Sequence, residues 1–266
     1  MTGKPPMPEL TQNGIQQHYE RQGGGPPLLL LAGMASDTAS WAPLLPHLTG
    51  FELLMPDNRC AGRTRPLPCP ISRRALLEDV LGLLDALGLE RVHVAGHSLG
   101  GMLALDLAAA APERVLSLTA LSCARWVRPR ALALFEALAR LEPSSEPWFA
   151  LLFQFLFSEG FHAKPGAVAA AAARAVGYAQ LQPPEAFVAQ AAVLPEFATP
   201  APLTPLTCPA LAMTGAEDII APPQVLDGFA ALGFHTEAVE GAAHALHWEA
   251  PGAVARAIRA CVARAG

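Results

Sequence analysis

Arg91 to Ala104 read RVHVAGHSLGGMLA, with Gly96-His97-Ser98-Leu99-Gly100 at the centre. Val92 to Ala95 is a short apolar run of β type, while Leu99, Met102, Leu103, Leu105, Leu107 and the alanines from 108 to 111 favour a helix. The pattern predicts a strand running directly into a helix through Ser98. A residue on so tight a turn takes a strained backbone conformation, and side chains two positions either way would collide. Glycines at 96 and 100 remove that collision. Ser98 is then held with its hydroxyl exposed. The amide of Leu99 lies at a helix N-terminus, where unpaired N–H groups and the helix dipole favour negative charge. Such a turn suits a nucleophile with its own anion stabiliser.

Outward from this turn the chain alternates strands and helices. Leu28 to Ala32, Phe51 to Met55 and Val115 to Leu121 are continuous apolar runs of strand length, as expected of strands covered on both faces. Upstream, Asn13-Gly14 between short alternating runs predicts a hairpin, and residues 1 to 8, rich in proline, are expected to fray. A helix is expected near Thr38 to Leu48. A second, from the cap Ser72 to the stop Gly88, repeats Leu76, Leu77, Val80, Leu81, Leu84 and Leu87 at spacings of three and four. The alternation implies a parallel α/β sheet. It breaks between Ala124 and about Pro205, where four helical stretches are predicted near 129–141, 147–157, 165–181 and 184–197. Strands resume at Ala210 to Thr214 and His235 to Glu240, around a helix near 222–232 and before a last helix to about Ala263. The expected organisation is a core from residues 1–123 and 206–266, interrupted by a helical cap at 124–205.

At 266 residues, with 15% charged and 52% apolar residues, the chain can bury a substantial core. A net charge of −5 and the lack of any Lys/Arg run argue against nucleic acid and anionic membrane surfaces as partners. No apolar run approaches the roughly 18 residues of a membrane span, and MTGKPPMPEL holds no stretch suited to a signal peptide, so a cytoplasmic location is expected. The five cysteines (Cys60, Cys69, Cys123, Cys208, Cys261) are scattered and read as reduced thiols. No metal-ligand spacing occurs among His, Cys and Glu, and no metal or cofactor is expected.

A serine hydroxyl needs a neighbouring base, and the base needs an orienting acid. In a parallel α/β sheet functional groups gather at the carboxyl ends of strands. Asp218 follows the strand 210–214 through Gly215-Ala216-Glu217, and His244 follows the strand 235–240 through Gly241-Ala242-Ala243. Ser98, Asp218 and His244 thus stand on loops at one sheet edge as candidate nucleophile, acid and base. Glu217 is the rival acid, and His247, one turn on, the rival base.

These blocks resemble the α/β-hydrolase superfamily over nearly the whole length: LLLLAG followed by Trp41, DNRCAGR at 57–63, GHSLGG at 96–101, CPALAMTGAEDIIAP at 208–222 and GAAHALHWEAP at 241–251. The resemblance implies an α/β-hydrolase fold, a mostly parallel eight-stranded sheet with helices on both faces and a helical cap inserted after the sixth strand. It also implies an oxyanion hole from the backbone amides of Leu99 and Met34. The pattern is most similar to capped enol-lactonases, methylesterases, C–C bond hydrolases and cofactor-free haloperoxidases. A serine at the turn argues against dehalogenases and epoxide hydrolases of this fold, which use aspartate there. Three positions depart from the usual pattern: Ala32 before Gly33, Cys60 where glycine is usual, and Ala243 before His244. A thiol at Cys60 is expected near the mouth of the site. Asp57 and Arg59 read as an ion pair or turn device, and His93 and His97 as scaffold residues.

Eight of the eleven phenylalanines fall within 124–205. Trp126, Trp148, Phe149, Phe153 and His247 are the candidate pocket residues. The expected activity is hydrolysis of small to medium carboxylic esters or lactones through an acyl-enzyme on Ser98, by a monomer or homodimer. The alternatives are C–C bond hydrolysis or perhydrolase chemistry with the same triad, and, from another class, a ligand-binding protein with a residual site.

Overall fold

Asn13 and Gly14 both take positive φ, 46° and 74°, and this two-residue turn joins β1 (Glu9–Gln12) to β2 (Ile15–Gly23) in an antiparallel pair. The computed structural model describes residues 9–203 and 206–266. The expectations for residues 1–8 and for the end of the cap at 204–205 lie outside them. Six further strands follow: β3 (Pro27–Leu31), β4 (Glu52–Pro56), β5 (Val92–His97), β6 (Val115–Leu121), β7 (Ala210–Gly215) and β8 (His235–Val239). They form one eight-stranded sheet in the order β1-β2-β4-β3-β5-β6-β7-β8, parallel from β4 through β8.

The central strands read as unbroken apolar runs because both faces are covered. Leu29 and Leu31 of β3 pack with α1 (Arg73–Ala86) and α2 (Leu99–Ala110) on one face. Leu28 and Leu30 face Trp41 and a C-terminal helix on the other. The α1 register follows its leucine spacing: Leu76, Val80, Leu83 and Leu84 are buried, and Ser72 Oγ accepts from the amide of Ala75.

Between β6 and β7 run α3 (Pro129–Arg140), α4 (Glu146–Leu156), the single turn α5 (Glu159–His162), α6 (Ala167–Val176) and α7 (Pro184–Val193). After β7 come α8 (Val225–Ala230), α9 (Leu246–Glu249) and α10 (Pro251–Ala263). Several helical expectations change: the stretch near 165–181 is helical over Ala167–Val176, and that near 222–232 over Val225–Ala230. The stretch 38–48 forms two 3-10 turns, Thr38–Trp41 and Leu45–His47, because Pro43 and Pro46 lack the N–H that a continuous helix needs. The predicted stretch 184–197 ends as a helix at Val193 and tightens into a 3-10 segment, Leu194–Ala198, at Pro195.

Asp57 and Arg59 do not pair with each other. Arg59 forms a bidentate pair with Asp79 of α1, Nε to Oδ2 at 2.6 Å and Nη2 to Oδ1 at 2.9 Å, with both side chains buried. Asp57 accepts from the amides of Thr38 and Arg63, each at 2.8 Å, and burial holds its carboxyl up at about 6. Cys60 is fully buried with φ of 61°, the left-handed region in which glycine is unstrained. Its Sγ lies 3.5 Å from Cys69 Sγ, away from the mouth of the site where the sequence had led us to expect it.

Candidate active site

Ser98 occupies φ 55° and ψ −118° between the end of β5 and the start of α2. A Cβ at Gly96 would lie 2.1 Å from the carbonyl oxygen of Gly100, and one at Gly100 would lie 2.0 Å from that of Leu31. Both distances are far inside van der Waals contact, so glycine is the residue that lets α2 pack this closely on β3 and β5. The Ser98 amide donates to Leu121 O of β6 at 2.9 Å, which ties the turn to the neighbouring strand.

His244 bridges the other two groups. Its Nε2 is 3.0 Å from Ser98 Oγ, and its Nδ1 is 2.9 Å from Asp218 Oδ2. Asp218 is buried, and its second oxygen accepts from the amides of Ile220 and Ala221, each at 2.8 Å. Burial by itself would raise the Asp218 carboxyl. The charge and hydrogen bond of His244, with the two amides, outweigh it and hold the group below its ordinary value. The neighbouring Glu217 turns away and accepts from the amide of Glu159 in α5 at 2.7 Å, so the acid beside His244 is Asp218.

Two further imidazoles stand behind His244. His97 Nε2 donates to the carbonyl oxygen of His244 at 2.8 Å, which fixes the loop that carries the base. Burial pushes His97 down to about 3, so its ring is neutral. His247 is buried with its ring centroid 4.4 Å from His97 and 4.9 Å from Trp41, and burial pushes it well below the usual histidine range. It packs beneath the loop that carries His244 and does not line the cleft.

Met34 and Leu99 both line the cleft beside Ser98. The loop bearing Met34 is held from two sides. Asn58 Nδ2 donates to Ala32 O at 3.0 Å from the core. From the cap, Gln190 of α7 accepts from the amide of Ala35 at 3.2 Å, and Tyr178 Oη donates to Asp37 Oδ2 at 2.7 Å. Gln190 is itself completely buried and donates to Arg59 O at 2.9 Å. Neither Gln190 nor Tyr178 was singled out in the sequence. The available signal was a glutamine inside the apolar run AFVAQAAV, a polar group that needs buried partners there.

The cleft above Ser98 is narrow, with a cavity volume of about 30 Å³. Met102 and Ile220 of the core line it together with Trp126, Val127, Phe135 and Leu194 from the segment between β6 and β7. Of the expected pocket aromatics, Trp126 is there. Trp148, Phe149 and Phe153 are not, because they pack inside the helical segment between β6 and β7. Trp148 Nε1 donates to Leu138 O at 2.9 Å, and its ring meets Phe149 and Phe187 edge-on at 5.1 and 4.7 Å. Phe153 continues the stripe along α4 between Phe149 and Phe157. Among the described residues no group of three or more His, Cys, Asp or Glu is arranged to hold a metal ion, and no helix is long and apolar enough to cross a membrane.

The arrangement can move a proton from Ser98 through His244 while Asp218 balances the charge. Comparison with known proteins shows the family to which the chain belongs. A protein of Azorhizobium caulinodans named "putative carbamate hydrolase RutD" is 37% identical over 123 residues, 46% of this chain and 46% of that protein. "Epoxide hydrolase 2" of Siraitia grosvenorii is 37% identical over 117 residues, 42% of this chain and 37% of that one. The chain thus spans less than half the length of these two curated relatives. Among solved structures, a thermophilic esterase from Thermogutta terrifontis with malate bound superposes with a TM-score of 0.81 at 26% identity, covering 97% of each chain. The family model described as "alpha/beta hydrolase fold" matches residues 26–251, and the chain belongs to that family.

Proposed function

We propose that this protein is a serine hydrolase that cleaves carboxylic esters or lactones of small to medium size. The observation that carries the reading is the pair of hydrogen-bond distances through His244, 3.0 Å to Ser98 Oγ and 2.9 Å to Asp218 Oδ2. Ser98 Oγ attacks the ester carbonyl carbon as His244 Nε2 takes its proton. The amides of Leu99, at the N-terminus of α2, and of Met34 stabilise the oxyanion of the tetrahedral intermediate. Its collapse breaks the bond to the alcohol oxygen, which leaves with the proton from His244. Water then attacks the acyl-enzyme, His244 again serving as base and returning the proton to Ser98. Throughout, Asp218 keeps the Nδ1–H of His244 in place. The apolar walls of the cleft suit an apolar acyl or alcohol part, and residues 124–205 act as the cap that supplies much of that wall.

The direct test is turnover of a short-chain nitrophenyl ester. Ser98→Ala should fold normally and lose several orders of magnitude in kcat, whereas undiminished turnover would remove the assignment. A carbamate is the second reading, supported by the name of the Azorhizobium relative. Its carbonyl would be attacked in the same way, and matched phenyl ester and phenyl carbamate substrates separate the two. The likeness to an epoxide hydrolase does not extend to the nucleophile, since Ser98 stands where such enzymes of this fold use aspartate.

A further inference from the structure

The cleft holds two polar side chains that the steps above leave unused. Arg128 lines it at the point where the chain enters α3, and among the described residues no carboxylate lies within ion-pair distance of its guanidinium. The other arginine of this connection, Arg125, packs towards α8, with its Cδ 3.7 Å from the position a Cβ would take at Gly228. Arg128 is therefore the cation on the cleft, whose lining contains no Asp or Glu. The second side chain is Ser122, which lines the cleft at the end of β6, is completely buried, and has a hydroxyl with no hydrogen-bond partner. An orphaned buried hydroxyl is destabilising unless something completes its hydrogen bonding.

The backbone at this corner has the same polarity. Arg128 is the N-cap of the twelve-residue α3, no side chain caps that helix, and Ala131 of its first turn also lines the cleft. The free amides and dipole of a helix N-terminus favour an anion. A half-buried arginine without an ion-pair partner, an uncapped helix N-terminus and an unpartnered buried hydroxyl thus line one cavity whose other walls are mainly apolar.

We propose that this corner is a subsite for an anionic group of the substrate, a carboxylate remote from the scissile bond, with Arg128 as the residue that selects for it. The proposal rests on the ester-hydrolase reading and narrows its substrate class to half-esters of dicarboxylic acids and similar anionic esters. Apolar surroundings strengthen an Arg–carboxylate pair relative to water, so selectivity is the expected result.

The test compares 4-nitrophenyl hexanoate with mono-4-nitrophenyl adipate, which has the same chain length and a terminal carboxylate. In Arg128→Gln the adipate-to-hexanoate ratio of kcat/KM should fall about tenfold or more, chiefly through KM of the adipate ester, and Arg128→Lys should recover part of it. A ratio that stays within about twofold of the wild-type value would overturn the subsite while leaving Ser98-dependent hydrolysis of the hexanoate ester intact. If neither ester were turned over, the ester reading itself would fail. The subsite is then decided by titrating adipate calorimetrically into Ser98→Ala protein with and without Arg128→Gln. Binding that weakens with the arginine lost supports it, and no binding or equal binding overturns it.

Discussion

The groups proposed for catalysis and the helical segment proposed as a cap meet at one cleft, yet they are positioned by different means. Ser98, Asp218 and His244 stand just beyond the carboxyl ends of β5, β7 and β8, where parallel pairing keeps the strand ends level: His97 lies opposite Leu121, Leu121 opposite Met213, and Gly215 opposite Val239. Backbone register thus sets the separations within the triad. The cap wall depends on helix faces, and the direction a face points follows from how α3, α4, α6 and α7 pack on one another. The difference teaches that chemistry here is encoded locally and selectivity collectively. The separation is incomplete, because Gln190 and Tyr178 reach from the cap to the loop that carries Met34.

The comparison can be strained most severely at Asp218. Asp218→Asn should lower kcat about 10³- to 10⁴-fold with unchanged circular dichroism, because the amide no longer stabilises the correct tautomer and charge of His244. A loss of less than about tenfold would mean that register does not deliver the acid to the base. Trp148→Ala probes the opposite case. Removing a buried indole from the cap should cost about 3–5 kcal/mol in denaturant unfolding, while the folded variant keeps its kcat within a few-fold. A selective collapse of kcat without loss of stability would place Trp148 back at the cleft.

His97 sharpens the core side through pH. Its folded value of about 3 lies below the ordinary 6.5, so the unfolded chain binds the extra proton and stability falls as pH drops below 6.5. At pH 5 the loss from His97 alone is about 2 kcal/mol. His97→Gln, which can still donate to His244 O, should flatten the pH 7 to pH 5 stability difference by roughly that amount. An unchanged slope would show that His97 titrates normally. The smallest effect is expected at the link between the two regions. Gln190→Ala should reduce kcat about tenfold with KM little changed, because it loosens the amide of Ala35 next to Met34. A change in KM alone would make Gln190 a wall residue and restore the clean division between chemistry and cap.

The same contrast explains what was legible in the sequence. The strand-to-helix turn at Ser98 was readable because sterics demand glycine at 96 and 100, and the loops at Asp218 and His244 because each follows an apolar strand at short distance. The apolar spacing of α1 marks Leu76, Val80 and Leu84 of its buried face but misses Leu83, while Leu77, Leu81 and Leu87 are half-buried. The stretch 38–48, expected as a helix, forms two 3-10 turns because of its prolines. In the segment between β6 and β7, aromatic content marks burial without marking direction: Trp148, Phe149 and Phe153 pack inside that segment, while Trp126 and Phe135 line the cleft. Arg59 found Asp79 rather than Asp57, since a buried ion pair is chosen by tertiary approach, 20 residues along the chain, and not by adjacency. Tyr178, Ser122 and Arg128 take their places through contacts between segments distant in sequence or through the cavity they line, which no local pattern reports, whereas Gln190 leaves one trace, a polar side chain inside an apolar run.

The central claim is that Ser98 is the nucleophile of an acyl-enzyme. Intact-mass and peptide-mapping analysis after treatment with a fluorophosphonate tests it most directly. One adduct on the wild-type protein, mapped to Ser98 and absent from Ser98→Ala, is the predicted result; an adduct that persists in Ser98→Ala, or a wild-type protein that takes up none, would contradict it.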